Sequence, residues 1–188
     1  MAKFNHFSVL APVYEKYISP QIPEKLISLA KLPTSGRILD VGGGTGRVSQ
    51  FLSSYADQVI LADQSYQMTQ ESQKKDGLLP VCTESEILPF PSNFFERIIM
   101  VDALHHVNHQ QNTLNELWRI LKPGGMLIIE EPDINTFYVK LIAIAEKLAL
   151  MRSHFLSPEI IAKHFDNIPG SVQIEREEST AWIIVQKA

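Results

Sequence analysis

The stretch Ile38-Leu39-Asp40-Val41-Gly42-Gly43-Gly44-Thr45-Gly46 joins a short apolar run to a glycine-rich turn. The apolar run predicts a buried strand, and the residues after the turn predict a helix over Arg47–Tyr55. Glycines at positions 42, 44 and 46 let the backbone turn tightly and approach a ligand, since no Cβ stands in the way. The start of a helix adds free N–H groups that suit a carboxylate or a phosphate. The stretch therefore predicts a ligand-binding turn, with a tight connection that binds nothing as the alternative.

The spacing of these glycines separates two classes of nucleotide ligand. A dinucleotide fingerprint requires G-x-G-x-x-G. Its last position falls on Arg47 when counted from Gly42, and on Ser49 when counted from Gly44. Asp40 lies just before the turn, where a carboxylate suits the cationic amine of an amino-acid ligand and is unhelpful beside a pyrophosphate. The pattern favours a nucleotide that carries an amino acid, and an NAD-dependent oxidoreductase of the same fold class is a less favoured alternative.

Outside the turn, apolar runs alternate with stretches of helical spacing. Strands are predicted at Arg37–Val41, Gln58–Ala62, Leu79–Cys82, Arg97–Val101, Met126–Glu130, Val172–Arg176 and Thr180–Gln186. Helices are predicted at Arg47–Tyr55, Ser65–Lys75, Asn108–Leu121, near Ile134–Met151 and from Ser157-Pro158. This alternation predicts an α/β fold: a Rossmann-like, doubly wound, mostly parallel sheet of seven strands, with helices on both faces and a C-terminal antiparallel hairpin. Ligands of such sheets bind beyond the carboxyl ends of the strands.

The chain of 188 residues is long enough for one domain with a full core and too short for two of ordinary size. We expect a single domain over 1–188. It comprises an N-terminal helical lid segment over 1–33, a ligand-binding core over 37–131, and a long helix, a second helix and the hairpin over 134–188. The long helix either packs in the core or forms a wall for a substrate.

The composition limits the kinds of ligand and partner that the protein is expected to bind. Apolar residues make up 45% of the chain and charged residues 20%, and the net charge is −4, which offers no basic excess for nucleic acid. Cys82 is the single cysteine, so neither an internal disulfide nor a thiolate metal cluster is expected, and no spacing indicates another metal site. With neither a signal peptide nor a membrane-spanning stretch predicted, we expect a cytoplasmic protein.

Two further carboxylates follow predicted strands. Asp63 ends the second strand, where a carboxylate can accept hydrogen bonds from both hydroxyls of a ribose. It could equally cap the helix that begins near Ser65, and the two roles are compatible. Glu84 lies in an acidic turn after the third strand, where it could accept the exocyclic amine of an adenine or belong to a solvated loop.

Five motifs in order then resemble a known family. The series ILDVGGGTG, LADQS, ESEILPFPSNFFERI, VDALHHV and LWRILKPGGMLIIEEPD resembles the class I S-adenosylmethionine-dependent methyltransferases. Within that class it is most similar to the methyltransferase-11 group and the ubiquinone/menaquinone biosynthesis C-methyltransferases. The resemblance covers about Phe7 to Asp133.

The resemblance implies S-adenosylmethionine as cofactor and S-adenosylhomocysteine as its product. It assigns the methionine part to Asp40, Gly42, Gly43, Gly44 and Gly46. It assigns the ribose to Asp63, one face of the adenine to Gln64, and the adenine edge to Glu84 and Ser85, although the family often has aspartate where Glu84 stands. It places Val101 and Asp102 near the sulfonium, and Tyr14 in a lid over the cofactor, unless Tyr14 only packs the first helix.

The sequence defines the catalytic residues less clearly than the cofactor-binding residues. His105 and His106, just past the fourth strand, are candidates for a general base, and they could instead hold the loop through hydrogen bonds. Glu131, Asp133 and His154 border the expected substrate side, unless they are caps or exposed polar residues. The C-terminal part is short, which favours a small or lipophilic acceptor. The leading hypothesis is methyl transfer to a small organic acceptor such as a quinone-like or polyketide-like ring. The alternative from another class is a protein that binds the cofactor without turnover and acts through a partner; the oligomeric state is open.

Overall fold

A computed structural model of the protein describes residues 22–148 and 153–188. Within this part of the chain, seven strands form one sheet: β1 (Arg37–Val41), β2 (Gln58–Asp63), β3 (Leu78–Cys82), β4 (Phe95–Val101), β5 (Leu121–Pro132), β6 (Gly170–Glu177) and β7 (Thr180–Lys187). The helices of the same part are α1 (Glu24–Leu29), α2 (Tyr66–Ser72), α3 (Gln110–Ile120), α4 (Phe137–Leu148) and α5 (Pro158–Lys163).

The strands lie in the order β3-β2-β1-β4-β5-β7-β6. The first five are parallel, and β7 pairs antiparallel with both β5 and β6. The predicted fold class is therefore confirmed, including the C-terminal hairpin, whose two strands are separated by Glu178 and Ser179. The chain moves outward in one direction from β1 to β3 and in the other from β4. This reversal creates a crevice at the carboxyl ends of β1 and β4, where ligands of such sheets bind.

Both faces of the sheet are covered, which explains why its central strands are almost continuously apolar. Successive residues point to opposite faces, so Ile38 packs in one core cluster and Leu39 in the other. One face carries Leu114 and Leu117 of α3 together with Ile161 of α5. The other face carries Leu26 of α1. The sheet is thus a rigid platform for the loops at its carboxyl edge.

The predicted helix Arg47–Tyr55 is wrong in form, because only Ser49–Phe51 is helical, as a single 3₁₀ turn. The side chain of Gln50 donates to the carbonyl oxygen of Arg47 at 2.9 Å, and the hydroxyl of Ser53 donates to that of Gln50 at 3.2 Å. Side chains that satisfy neighbouring carbonyl groups in this way compete with a regular helix. Most of the connection from β1 to β2 therefore consists of turns.

The remaining helices begin close to where the sequence predicts. Ser65 caps α2 by accepting the N–H of Met68, and Ser157 caps α5, whose first residue is the predicted Pro158. On the long helix, Val139 is buried, whereas Leu141 and Ile144, which the sequence predicts on the packed face, are exposed and do not line the cavity at the carboxyl edge of the sheet. The helical lid predicted over 1–33 lies mostly outside the described residues, as does Tyr14. No helix in the described ranges is long and apolar enough to cross a membrane.

Candidate cofactor site

A cavity opens at the carboxyl edge of the sheet, where β1, β2 and β4 end. Its wall includes ten of the residues predicted for the site: Asp40, Gly42, Gly43, Gly44, Asp63, Gln64, Ser85, Val101, Asp102 and His106. Three predicted residues of the described chain, Gly46, Glu84 and His105, are not part of this wall. The fold therefore brings residues from four separate motifs together around one space.

The main contribution of the glycine turn to the cavity is space for a ligand. Gly42 and Gly44 have φ values of +73° and +56°, which favour glycine. A Cβ on Gly42 would come within 2.6 Å of the methyl carbon of Ala103, whereas one on Gly44 would meet no protein atom nearer than the sulfur of Met68, at 4.0 Å. The space beside Gly44 is thus open for a ligand. Gly46 has another role, since a Cβ there would approach a methyl carbon of Leu78 at 2.7 Å.

The predicted anion site at a helix N-terminus is absent from this turn. The N–H groups of Gly42, Gly44 and Gly46 donate to Ala62, Asp63 and Gly43, respectively. Because these donors are used within the protein and no regular helix follows, the turn presents no free helix N-terminus to a phosphate. This correction agrees with the glycine spacing, which already disfavours a dinucleotide.

Asp40 is almost fully buried at the base of the cavity, with 1% of its surface exposed. Its Oδ2 accepts a hydrogen bond from the hydroxyl of Ser49. Burial, helped by the neighbouring Asp63, raises the pKa of this carboxyl to about 6 against the lowering effects of Ser49 and Arg47. A cation placed beside Asp40 would favour the ionised form. Asp40 is therefore suited to a positively charged ligand group.

Asp63 is the last residue of β2, and both of its carboxylate oxygens accept hydrogen bonds from backbone N–H groups. Oδ2 accepts the N–H of Gly44 at 2.9 Å, and Oδ1 accepts the N–H of Ser65 at 2.8 Å. Burial raises the pKa of this carboxyl, and the two backbone donors oppose the shift. Each oxygen of a carboxylate has about two acceptor sites, so one site on each oxygen is available to a ligand. The cap of α2 is Ser65 itself, so Asp63 orients the cap and is not the cap.

The acidic turn after β3 points a different carboxylate at the cavity from the one predicted. Ser85 and Glu86 line the wall, and Glu84 does not. The hydroxyl of Ser85 lies 2.9 Å from that of Thr113, and Glu86 accepts the N–H of His109 at 3.3 Å. These contacts attach the turn to the beginning of α3. Of the predicted pair Glu84 and Ser85, only Ser85 lines the cavity, because the geometry of the turn brings Glu86 to the wall in place of Glu84.

A cation that sequence reasoning did not assign also lines the cavity. Arg47 is the one lysine or arginine among the described lining residues. The carboxylates of the wall are Asp40, Asp63, Glu86 and Asp102. Four carboxylates against one guanidinium give the wall a strongly negative balance, which suits a ligand with more positive than negative charges.

The turn after β4 forms the opposite wall. Asp102 has φ of +54°, a left-handed conformation that is uncommon for a residue with a side chain and that recurs at functional sites. Its N–H donates to the carbonyl oxygen of Glu130 at 2.8 Å. Four residues further, His106 reaches the cavity, and burial together with the neighbouring His105 lowers the pKa of its imidazole to about 4. The imidazole of His106 is therefore neutral at neutral pH.

His105 points away from the cavity into the protein. Only 4% of it is exposed, and its Nδ1 lies 2.6 Å from Oε2 of Glu131 at the end of β5. Asp133, just after β5, is also buried and pairs with Arg176, so neither Glu131 nor Asp133 is an exposed polar residue. Across the described residues, no group of three or more histidine, cysteine, aspartate or glutamate side chains is placed to hold a metal ion.

Comparison with known proteins finds a match to a family model and a relative that is similar over part of its length. Residues 39–129 match the model of a methyltransferase domain, Methyltransf_11. The ubiquinone/menaquinone biosynthesis C-methyltransferase UbiE of Pseudomonas savastanoi pv. phaseolicola is 34% identical over 117 residues, covering 56% of this chain and 45% of that protein. The chain thus spans about half the length of the curated relatives it matches.

Solved structures extend the likeness to nearly the whole chain at the level of the fold. A chain from the complex between the Haloferax volcanii Trm112 methyltransferase activator and a methyltransferase superposes with a TM-score of 0.81 at 15% identity, covering 98% of this chain and 99% of that one. An S-adenosylmethionine-dependent methyltransferase from Thermotoga maritima superposes with a TM-score of 0.75 at 20% identity, covering 98% and 100%.

The fold and the family match agree on one class of protein, the class I S-adenosylmethionine-dependent methyltransferases. Within this class, residues 39–129 of the chain match the methyltransferase-11 model. The resemblance inferred from the five motifs is therefore confirmed.

Proposed function

We propose that the chain transfers a methyl group from S-adenosylmethionine to a small organic acceptor with a quinone-like ring. The observation that carries the proposal is Asp63, whose two oxygens each accept one backbone N–H and each retain an acceptor site in the cavity wall. Two such sites on one carboxylate match the adjacent hydroxyls of an unphosphorylated ribose. The same residue disfavours a ligand with a phosphate at that position.

The rest of the wall fits this cofactor by charge and shape. When bound, S-adenosylmethionine supplies a methyl group on a cationic sulfur, and it also carries an ammonium and a carboxylate. We assign its carboxylate to Arg47 and its ammonium to the side of Asp40, with the adenine between Met68 and the Ser85-Glu86 turn. Two positive charges against one negative charge complement the acidic wall, whereas the pyrophosphate of NAD would add negative charge to it.

We place the acceptor beside His106, Val107 and Asn108, which continue the wall beyond Asp102. An acceptor there needs to be aligned with the methyl group and shielded from water. The neutral His106 imidazole can form a hydrogen bond with a ring hydroxyl and hold it in place. The ring carbon then bonds to the methyl carbon, the methyl–sulfur bond breaks with its electron pair left on sulfur, and the ring carbon releases its proton to solvent.

The choice of a quinone-like ring is supported by the relatives named for ubiquinone and menaquinone biosynthesis. Val107 places an apolar side chain between His106 and Asn108 at this end of the wall, where an apolar ring could pack. Action in the cytoplasm is part of the proposal and would be checked by cell fractionation.

Methyl transfer is tested directly with labelled cofactor. The protein is incubated with S-adenosylmethionine labelled in its methyl group and with 2-prenyl-1,4-naphthalenediol, whose ring carbon 3 is free, under reducing conditions. We expect label in the organic extract and a product one methyl group heavier, and Asp63→Ala should abolish both.

If no methyl transfer is seen, a binding measurement with S-adenosylhomocysteine distinguishes a wrong acceptor or absent turnover from a wrong cofactor assignment. Tight binding without transfer to this quinol, to simple phenols or to amines would favour a binding protein that acts through a partner. Absence of binding would contradict the cofactor assignment itself.

A further inference from the structure

A buried hydrogen-bonded pair of side chains joins the end of β5 to the turn that follows β4. Glu131 and His105 are each 4% exposed, and Oε2 of the glutamate lies 2.6 Å from Nδ1 of the histidine. Oε1 accepts the N–H groups of Ala103 and Leu104 at 3.0 and 2.7 Å. An ionised carboxylate offers acceptors only, so Nδ1 carries the proton in this arrangement. One side chain of β5 thus fixes both the backbone and the imidazole of the turn.

The other side of the turn is held by residues 153–155. The N–H of His154 donates to the carbonyl oxygen of His105 at 2.7 Å, and the ring of Phe155 stacks on the His105 imidazole at 4.4 Å and 12°. The hydroxyl of Ser153 lies 3.3 Å from Nδ1 of His106. His105 therefore stands between Glu131 below and the segment whose Ser153 contacts the cavity histidine.

Gln110 provides a second connection between the turn after β4 and residues 153–155. The side-chain nitrogen of Gln110 donates to the carbonyl oxygens of Leu104 and His154, at 2.9 and 2.7 Å. The turn and residues 153–155 are thus joined by two hydrogen bonds through Gln110 in addition to the contacts of the two histidines. Displacement of either would displace the other.

We propose that Glu131 and His105 are positioning residues for methyl transfer, which orient the His106 imidazole toward the acceptor through the Ala103–His106 turn and residues 153–155. This inference rests on the proposed function, and it gives the two adjacent histidines different roles. His106 lies in the cavity wall and contacts the acceptor, whereas His105 is outside the wall and acts through its neighbour. Truncated side chains at either position of the pair would leave a buried partner unsatisfied.

A pair of variants at position 105 separates positioning from acid–base chemistry. In His105→Asn, the amide nitrogen stands at about the place of Nδ1 and can still donate to Glu131, but it is not a base. In His105→Leu, a similar shape remains without any donor. If His105 positions its neighbour, asparagine rescues activity and leucine does not.

We would measure kcat and KM for 2-prenyl-1,4-naphthalenediol and the Kd of S-adenosylhomocysteine for both variants. We expect His105→Asn to retain kcat/KM within about 3-fold, and His105→Leu to lose about 10-fold or more, because an unsatisfied buried carboxylate displaces the turn. The Kd should change by less than about 3-fold in both, because His105 does not line the cavity. Equal inactivity of the two variants, with loss of the ascending limb of the pH profile, would overturn the proposal in favour of a base. Full activity of His105→Leu would also overturn it.

A structural readout decides the matter even if the quinol is not the acceptor. In Glu131→Gln, the side-chain oxygen can still accept the two backbone N–H groups, and its amide then faces Nδ1 as a donor. The His105 proton should therefore move to Nε2, which imidazole ¹⁵N NMR detects, and hydrogen exchange at the His154 amide should become faster. Unchanged nitrogen shifts and unchanged exchange would contradict the coupling, whereas failure of methyl transfer with altered shifts would contradict only the choice of acceptor.

Discussion

Replacing Asp40 by asparagine should make the protein more stable and a poorer binder of its cofactor. The carboxyl group is 1% exposed, and burial raises its pKa from the ordinary 3.8 to about 6. At about 1.36 kcal/mol per pH unit, that difference means that keeping Asp40 ionised in the folded protein costs about 3 kcal/mol at neutral pH. An asparagine side chain carries no charge, so Asp40→Asn removes this cost while keeping an oxygen that accepts the Ser49 hydroxyl.

The gain in stability of Asp40→Asn over the wild type should become smaller as pH falls. Between pH 4 and 6 the folded protein binds the Asp40 proton more tightly than the unfolded chain does, so the destabilising contribution of Asp40 shrinks as pH falls through this range. The advantage of Asp40→Asn is then largest above pH 6 and small near pH 4. The new amide group also needs a partner in the buried site, which reduces the expected gain to about 1–3 kcal/mol, or several degrees in Tm.

Urea unfolding at pH 7.5 and pH 4.5 measures this difference, with Asp57→Asn as a control. Asp57 is exposed and accepts the N–H of Gly36 at the opposite end of the sheet, so no gain is expected there. Calorimetric titration with S-adenosylhomocysteine completes the test, since the ammonium of the ligand favours the ionised Asp40 and affinity should fall below pH 6 in the wild type. A variant that is less stable at pH 7.5, or a gain of equal size at both pH values, would refute the reasoning.

Three further predictions concern the same site. Asp63→Ala should raise the Kd of S-adenosylhomocysteine about 100-fold in calorimetry, because two hydrogen bonds to a charged group are lost, and a change below about 3-fold would mean that the ribose lies elsewhere. Arg47→Gln should weaken S-adenosylhomocysteine about 10-fold and leave 5′-methylthioadenosine, which lacks the carboxylate, unaffected; equal losses for both ligands would rule out the assigned pairing. Ser65→Ala should lower the free energy of unfolding by about 1 kcal/mol in urea, because the cap of α2 is lost, and an unchanged midpoint would show that the cap contributes nothing.

The strands and their order along the chain were predictable because each central strand is an uninterrupted apolar run between turn residues. Arg37–Val41 is predicted and observed with the same bounds. The connection after it was not predictable from spacing, because a helical pattern says nothing about the side chains of Gln50 and Ser53, which take up the carbonyl groups. Local hydrogen bonds of this kind are decided in three dimensions.

The cavity was predictable to the level of motifs and less so to the level of single residues. Asp40 lies in β1 and Asp63 is the last residue of β2, so the sheet fixes where they point. Glu84 and Glu86 lie in a turn, where a shift of two residues changes which carboxylate faces the cavity. His105 and His106 illustrate the same limit, since adjacent residues of a 3₁₀ turn diverge, and sequence alone could not tell which one enters the cavity.

Binding of S-adenosylhomocysteine, compared with NAD, tests the central claim most directly. The thermal unfolding temperature is measured with each ligand at saturating concentration, since a ligand that binds only the folded state raises it. We predict a clear rise with S-adenosylhomocysteine, none with NAD, and loss of the rise in Asp63→Ala. Stabilisation by NAD without stabilisation by S-adenosylhomocysteine would contradict the assignment of the cavity to a methyl donor.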